Sequence, residues 1–283
     1  MSLSVNTNVT SLAVQNNLNT AASALSTAMT RLSSGLRINS AADDAAGLQI
    51  STRMSSQLRG MTVAIKNAND GISLAQTAGG AMSTDTDILQ RMRELAVQAR
   101  NGTNSTADQT ATNAEFAQMS DELTRISAST QLNGKFLLNG SAGVVTLQVG
   151  ANTGTANQIS LSLSGKFDAV SLSVDSGTLV LTGATSAAAA SNIDNAITAI
   201  DAAIAAIGAT QASLGASQNR LTSTIDVLQN VDQNTQAAQG RIQDTDFAAE
   251  TAELTKQQTL QQASTSVLAQ ANQLPSAVLK LLQ

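Results

Sequence analysis

The sequence predicts a mainly α-helical protein: an elongated helical bundle or coiled coil formed by both chain ends, with a small β-hairpin region in the middle. Three observations carry this expectation. Apolar residues recur every seven positions in both arms of the 283-residue chain. Period-two alternation is confined to the stretch between the arms. Aromatic residues are only 1% of the chain, so a thick core built on large rings is excluded, whereas small side chains suit helices that approach closely.

The seam is clearest in the second arm. Ile193, Ile200, Ile207, Leu214, Leu221 and Leu228 repeat at intervals of seven without a slip. Ile197, Ile204, Gln211, Gln218, Ile225 and Asp232 form the expected companion row. A helix over 187–239 would be roughly 80 Å long at about 1.5 Å per residue. Gly208 and Gly215 each weaken it, so partner helices are required. The first arm supplies them. One expected helix carries Met54, Leu58, Met61, Ile65, Ala68, Ile72 and Ala75, and a second carries Met82, Leu89, Met92, Leu95 and Ala96. After the turn-forming run 101–105, a third carries Phe116, Met119, Leu123 and Ile126. In the middle, Val145/Leu147/Val149, Ile159/Leu161/Leu163, Val170/Leu172/Val174 and Leu179/Leu181 alternate between Gly and Asn punctuation. They predict about four short strands.

The ends differ from the rest. Residues 1–30 carry no charged side chain, and 257–283 carry only Lys280. Val14, Leu18, Ala21, Leu25, Ala28 and Leu32 form a stripe in the first, and Leu268, Ala271, Val278 and Leu282 one in the last. A solvent-facing helix normally carries charge on its outer face. Two readings follow: disordered polar tails, or segments that fold when buried by each other and by copies of the chain. Leucines spaced by seven are more than a tail requires. A head-to-tail interface that does not close produces a helical filament, which surrounds each end with copies. Pro275, the single proline, is expected to kink or end the last helix.

The expected organisation follows. Residues 1–40 and 241–283 form a terminal coiled-coil core domain. Residues 41–140 and 184–240 form an α-helical rod, and 141–183 are its small β region.

Composition also excludes functions. The chain has no Cys, His, Trp or Tyr, so thiol chemistry, disulfides and histidine acid–base or metal chemistry are closed. No enzyme activity, cofactor or metal is expected. A net charge of −5 with scattered Lys and Arg argues against nucleic acid and against an anionic membrane surface. No apolar run of about 18 residues is read, so no membrane span is expected. No secretory signal is read either, so the expectation is a cytoplasmic chain or export without N-terminal cleavage. The compact carboxylate pairs, Asp43-Asp44 and Asp244/Asp246, are better explained by helix N-termini and capping than by metal binding.

The run Arg31-Leu32-Ser33-Ser34-Gly35-Leu36-Arg37-Ile38-Asn39-Ser40, continuing Ala41-Ala42-Asp43-Asp44-Ala45-Ala46-Gly47-Leu48, resembles the N-terminal signature of bacterial flagellin. The likeness continues through Gln90–Gln98 and resumes at Arg241–Glu250, Ala271–Pro275 and Val278-Leu279. The resemblance implies a short flagellin: a terminal coiled coil lining a filament core, a helical rod outside it, and little of the outer domains. It further implies unfolded export through the flagellar type III channel and polymerisation at the distal tip. The implied location is extracellular, in the flagellum. Implied partners are copies of the chain, an export chaperone, and cap and hook-associated proteins. Host innate immune receptors also come with the resemblance. Thr30–Ser51, with Asp43 and Asp44, matches the segment perceived by plants. Arg91, Leu95 and Glu115 match contacts of the vertebrate receptor. By themselves, Leu95 reads as bundle core, and Arg91 and Glu115 as a solvated face. A hook–filament junction protein shares the terminal helices, but the intact Arg31–Leu48 signature favours flagellin. The metallopeptidase insert of some larger flagellins needs His and is closed here.

Overall fold

The structure, a computed structural model, describes residues 7–281, with side chains described from 7 to 273. It is mainly α-helical, as expected. The elements in order are α1 Val9–Ser34, α2 Ala45–Ala99, α3 Thr106–Ser129, β1 Gln131–Leu132, β2 Lys135–Phe136, β3 Gly143–Gln148, β4 Gln158–Leu163, α4 Ser186–Gln243 and α5 Phe247–Leu281. The chain divides into two compact units, Met1–Gln57 with Gln233–Gln283, and Leu58–Asp232.

In the second unit α2, α3 and α4 pack around one seam. Ile193, Ile200, Ile207, Leu214 and Leu221 are buried as expected, and Leu228 is half-buried. The companion row is different. Ala189, Ala196 and Ala203 are at most 2% exposed, whereas Ile197 and Ile204 are half-buried against the core. Alanine at the step of three lets neighbouring helices come close, which the larger isoleucines would prevent. The α2 side is also small: Ala68, Ala75, Ala78, Ala96 and Ala99 are fully buried beside Met82, Leu89 and Met92. Arg93–Asp201 at 2.7 Å and Arg100–Asp194 at 2.9 Å tie α2 to α4 in antiparallel register. Arg91–Glu115 at 2.9 Å ties α2 to α3. These exposed pairs fix alignment more than they add stability.

The two helices expected over 54–75 and 82–96 are one. Gly79 and Gly80 lie inside α2 and do not break it. Each lowers helix propensity by about 1 kcal/mol relative to Ala, but Ala75, Ala78 and Met82 are buried on either side and hold the helix through. The loop at 101–105 is where expected, closed by a capping box. The Ser105 Oγ accepts from the Asp108 N–H, and the Asp108 carboxylate accepts from the Ser105 N–H at 3.0 Å.

The expected four-stranded sheet is corrected to two separate two-stranded antiparallel sheets, β1–β2 and β3–β4. The former turns through Asn133-Gly134, where both residues take positive φ. Val145/Leu147 and Ile159/Leu161/Leu163 are strand residues, paired from Gly143↔Leu163 to Gln148↔Gln158. Val170, Leu172, Val174, Leu179 and Leu181 are not. The Val174 N–H donates to the Ala169 carbonyl, the Leu172 N–H to that of Asp168, and Ser173 has φ 59°. The segment coils on itself and also donates the Ala169, Ser176 and Leu181 N–H groups to α3 side chains, so it pairs with no strand. Leu172, Val174 and Leu181 are nevertheless buried. Their alternation reflects contact with the bundle, not a strand.

Gly183 shows how α4 starts. A Cβ there would lie 2.7 Å from the Ala189 Cα and 2.8 Å from the Ala188 carbonyl carbon. Those are backbone atoms of the first turn and cannot rotate away. Gly183→Ala is expected to fray that turn, read as faster amide exchange over 186–192 and a lowered thermal midpoint. Unchanged exchange there refutes this account.

The expectation that no stretch is apolar enough to cross a membrane is also corrected. An 18-residue window of α4 reaches a mean hydropathy of 1.4. Alanines and the Ile193, Ile200 and Ile207 seam raise that value, and those isoleucines are buried in the bundle.

Candidate assembly surface

The first unit is built around α1 and α5, which pair antiparallel. The Asn8 Nδ2 donates to the Ala271 carbonyl at 2.8 Å, and the Ser11 Oγ to the Asn272 Oδ1 at 2.8 Å. At the other end Arg31 and Glu250 approach to 4.0 Å. The expected stripe faces this seam. Ala21 and Ala28 are buried, and Val14, Leu18, Leu25 and Leu32 are half-buried. On α5, Ala271 is buried and Leu268 half-buried. The Val278 side chain and Leu282 lie outside the described residues. So does the Pro275 side chain, although α5 continues past it to Leu281. The proline therefore does not end the helix.

Pairing covers only one face of each helix. Val9, Leu12 and Met29 are 68, 56 and 57% exposed. Leu260 and Val267 on α5 are 44 and 46% exposed. Around them stand Ser, Thr, Asn, Gln and Ala. No charged side chain occurs from residue 7 to 30 or from 257 to 273. Whereas the start of α5 carries the exposed Lys256–Glu253 pair, over these stretches each outer face is thus apolar in spots and polar without charge. Such a face is ordinary for a buried helix and unusual for a solvated one.

The chain between α1 and α2 is tightly held. Gly35 ends α1 at φ 72°, with its N–H on the Arg31 carbonyl. The Arg37 N–H donates to the Gln243 carbonyl at 2.7 Å, the Thr245 N–H to that of Gly35, and the Arg37 Nη2 to that of Ile242 at 2.6 Å. Both loops flanking the terminal pair are thereby zipped together. The Asp43 carboxylate accepts from the Asn39 and Ser40 N–H groups and the Ser40 hydroxyl. These bonds, chiefly those from Ser40, hold its carboxyl below the usual range. The Asp44 Oδ1 accepts from the Gly47 N–H at the start of α2, and the Asp246 Oδ1 from the Ala248 and Ala249 N–H groups at the start of α5. Asp44 and Asp246 therefore cap helices as expected, whereas Asp43 closes the turn ahead of α2 and caps none. Ile38, 2% exposed, anchors the loop. Sequence reasoning missed it as a packing residue. The signal was there, since it is the one large apolar side chain between Leu36 and Leu48.

The remaining candidates lie in the second unit. Arg91 is exposed, and its Nη2 and Nε donate to the Glu115 Oε1 at 2.9 and 3.1 Å, with Nη1 on Glu94. Glu115 and then Glu94 raise the guanidinium further above its ordinary value. Leu95 is 1% exposed and belongs to the core. It is therefore not on one accessible surface with Arg91 and Glu115.

Comparison with known proteins accords with this geometry. The family model described as the bacterial flagellin N-terminal helical region matches residues 5–143, and that of the bacterial flagellin C-terminal helical region matches 197–282. The chain is similar to flagellin A of Vibrio anguillarum, 38% identical over 379 aligned positions that cover all of both chains. It is similar to polar flagellin C of Vibrio parahaemolyticus, 36% identical over 384 positions, again covering both chains fully. Among solved structures, a candidate flagellar hook-associated protein of Vibrio parahaemolyticus superposes with a TM-score of 0.58 at 15% identity. That alignment covers 71% of this chain and 100% of the other, and it bears on fold alone.

Proposed function

The chain belongs to the bacterial flagellin family, and on that premise we propose that it assembles by burying the uncharged outer faces of α1 and α5 against copies of itself. As a flagellin it is a structural subunit of the flagellar filament, an appendage outside the cell. One observation carries the assembly reading: both terminal helices are paired on one side, and over 7–30 and 257–273 the other side bears Leu12, Met29, Leu260 and Val267 and no charge. A closed dimer would cover one such face only. An open helical array covers all of them.

The finer steps rest on the same reading. The chain is secreted unfolded through the flagellar export channel and folds its ends on addition at the distal tip. Its lack of Cys suits passage of an unfolded chain. An export chaperone shields the terminal helices before then, and cap and hook-associated proteins meet the same helices at the filament ends. The chain has no catalytic role. Host receptor contact falls to the exposed Arg91–Glu115 pair and to the Asp43-Asp44 loop. Leu95 contributes to it only by shaping the bundle beneath. The junction-protein alternative is not favoured, since full-length likeness runs to flagellins.

The test is seeded growth. Purified chain mixed with short filament fragments is expected to elongate them into long helical filaments under the electron microscope. Unextended seeds, under conditions where a control flagellin elongates its own, refute the reading.

A further inference from the structure

The seam of α2 runs through buried positions 61, 64, 68, 71, 75, 78, 82, 85, 89, 92, 96 and 99, alternating steps of three and four. Every one is apolar or glycine except Asp85. Its side chain is 0% exposed, between Met82 and Leu89, which are also fully buried. Neither carboxylate oxygen has a hydrogen-bond partner. A buried, unpaired carboxylate is among the costlier things a core can hold, and it lowers that cost by keeping its proton.

The surroundings offer Asp85 no cation. From α3, Glu122 acts on it, and Glu122 is itself engaged by Arg125 at 2.6 Å. Asp121 is the other charged residue on that stretch of α3, and Asp87 the nearest on α2. The register set by Arg93–Asp201 and Arg100–Asp194 brings the part of α4 around Ile207 alongside. Residues 202–219 of α4 carry no charge. The coiled segment after β4 packs on α3 through Ala169 and Ser176, and its charged residues are Lys166, Asp168 and Asp175. The one charge acting on Asp85 is therefore negative and opposes its ionisation.

We propose that Asp85 is a proton-linked switch in the helical bundle: protonated, it sits in the seam as a small neutral side chain, and ionised, it loosens the packing of α2 against α3 and α4. Burial first, and Glu122 second, push its carboxyl up from 3.8 to about 7. The sign follows from the folded form holding the proton more tightly. The bundle is most stable below the unfolded value of about 3.8, loses stability as pH rises, and levels off above about 7. Between pH 5 and 8 the other shifted acids of this unit, Asp108 and Glu122, do not interfere, because hydrogen bonds hold both below their ordinary values.

The experiment is urea unfolding of the full chain at pH 5, 6, 7 and 8, following the bundle through the amide signals of residues 82–92 and 200–207. In the wild type the unfolding constant of this unit should rise about tenfold from pH 5 to 6 and level off above about 7. Asp85→Asn should be flat over the same range, and Asp85→Leu flat with a higher midpoint than wild type at pH 8. Direct titration of the Asp85 Cγ resonance supplies a readout independent of any variant, with a midpoint expected near neutrality. A flat wild-type profile, an Asp85→Asn that keeps the slope, or a Cγ midpoint near the ordinary aspartate value overturns the proposal. None of these outcomes depends on whether the chain polymerises.

Discussion

Met29→Glu, or Val267→Glu, suppresses seeded filament growth while leaving the helix content and unfolding midpoint of the monomer unchanged. In the monomer both side chains are more than two-fifths exposed, so a charge there is solvated and its effect on stability stays within about 0.5 kcal/mol. In the proposed packing the same positions are covered by copies whose own described ends carry no charge from 7 to 30 or 257 to 273. No cation within those stretches is available to pair with the new carboxylate. Burying it unpaired costs several kcal/mol, and each 1.4 kcal/mol is a factor of ten in association. The critical concentration should therefore rise by about two to three orders of magnitude, measured by sedimentation at fixed seed density. Met29→Gln, polar without charge like its neighbours, should stay within about tenfold of wild type. A glutamate variant that polymerises at the wild-type critical concentration would show that these faces are not buried in the filament.

Phe116→Ala should destabilise the second unit by about 3–5 kcal/mol, the range for truncating a buried aromatic. Phe116 is 0% exposed and is among the largest fully buried side chains, in a core of aliphatic side chains and methionines with one other ring, Phe167. Phe116→Leu keeps most of the volume and should cost less than about 1.5 kcal/mol. The measurement is urea unfolding at pH 7. A loss below 1 kcal/mol for the alanine variant would mean that the cavity collapses around it, contrary to the tight helix packing described above.

Much of this was legible in the chain itself. The Ile193–Leu221 row told which face of α4 is inside, because an apolar repeat of seven allows one buried face on a helix. The chargeless ends told which helices are left wanting a partner, because solvent selects charge on an outer face and a protein surface does not. The carboxylates of Asp44 and Asp246 were legible as caps, because capping is a local bond within three residues.

What only the tertiary structure decided was non-local. Ala189, Ala196 and Ala203 form the inner companion row in preference to Ile197 and Ile204, because how closely helices approach depends on the partner's side chains. Gly79-Gly80 stays helical because packing on both sides outweighs a propensity that points the other way. Val170–Val174 alternates like a strand but bonds to its own backbone, since a strand needs a partner and alternation does not supply one. Asp85 sits on the very spacing that defines the seam, so its position could have been counted, but that nothing reaches its carboxylate is a fact of three helices at once. The sequence by itself determined which helix faces carry the main apolar row and what kind of assembly the chain serves. The structure decided what each meets there, because burial is written in periodicity along one helix while pairing is settled between elements far apart in the chain.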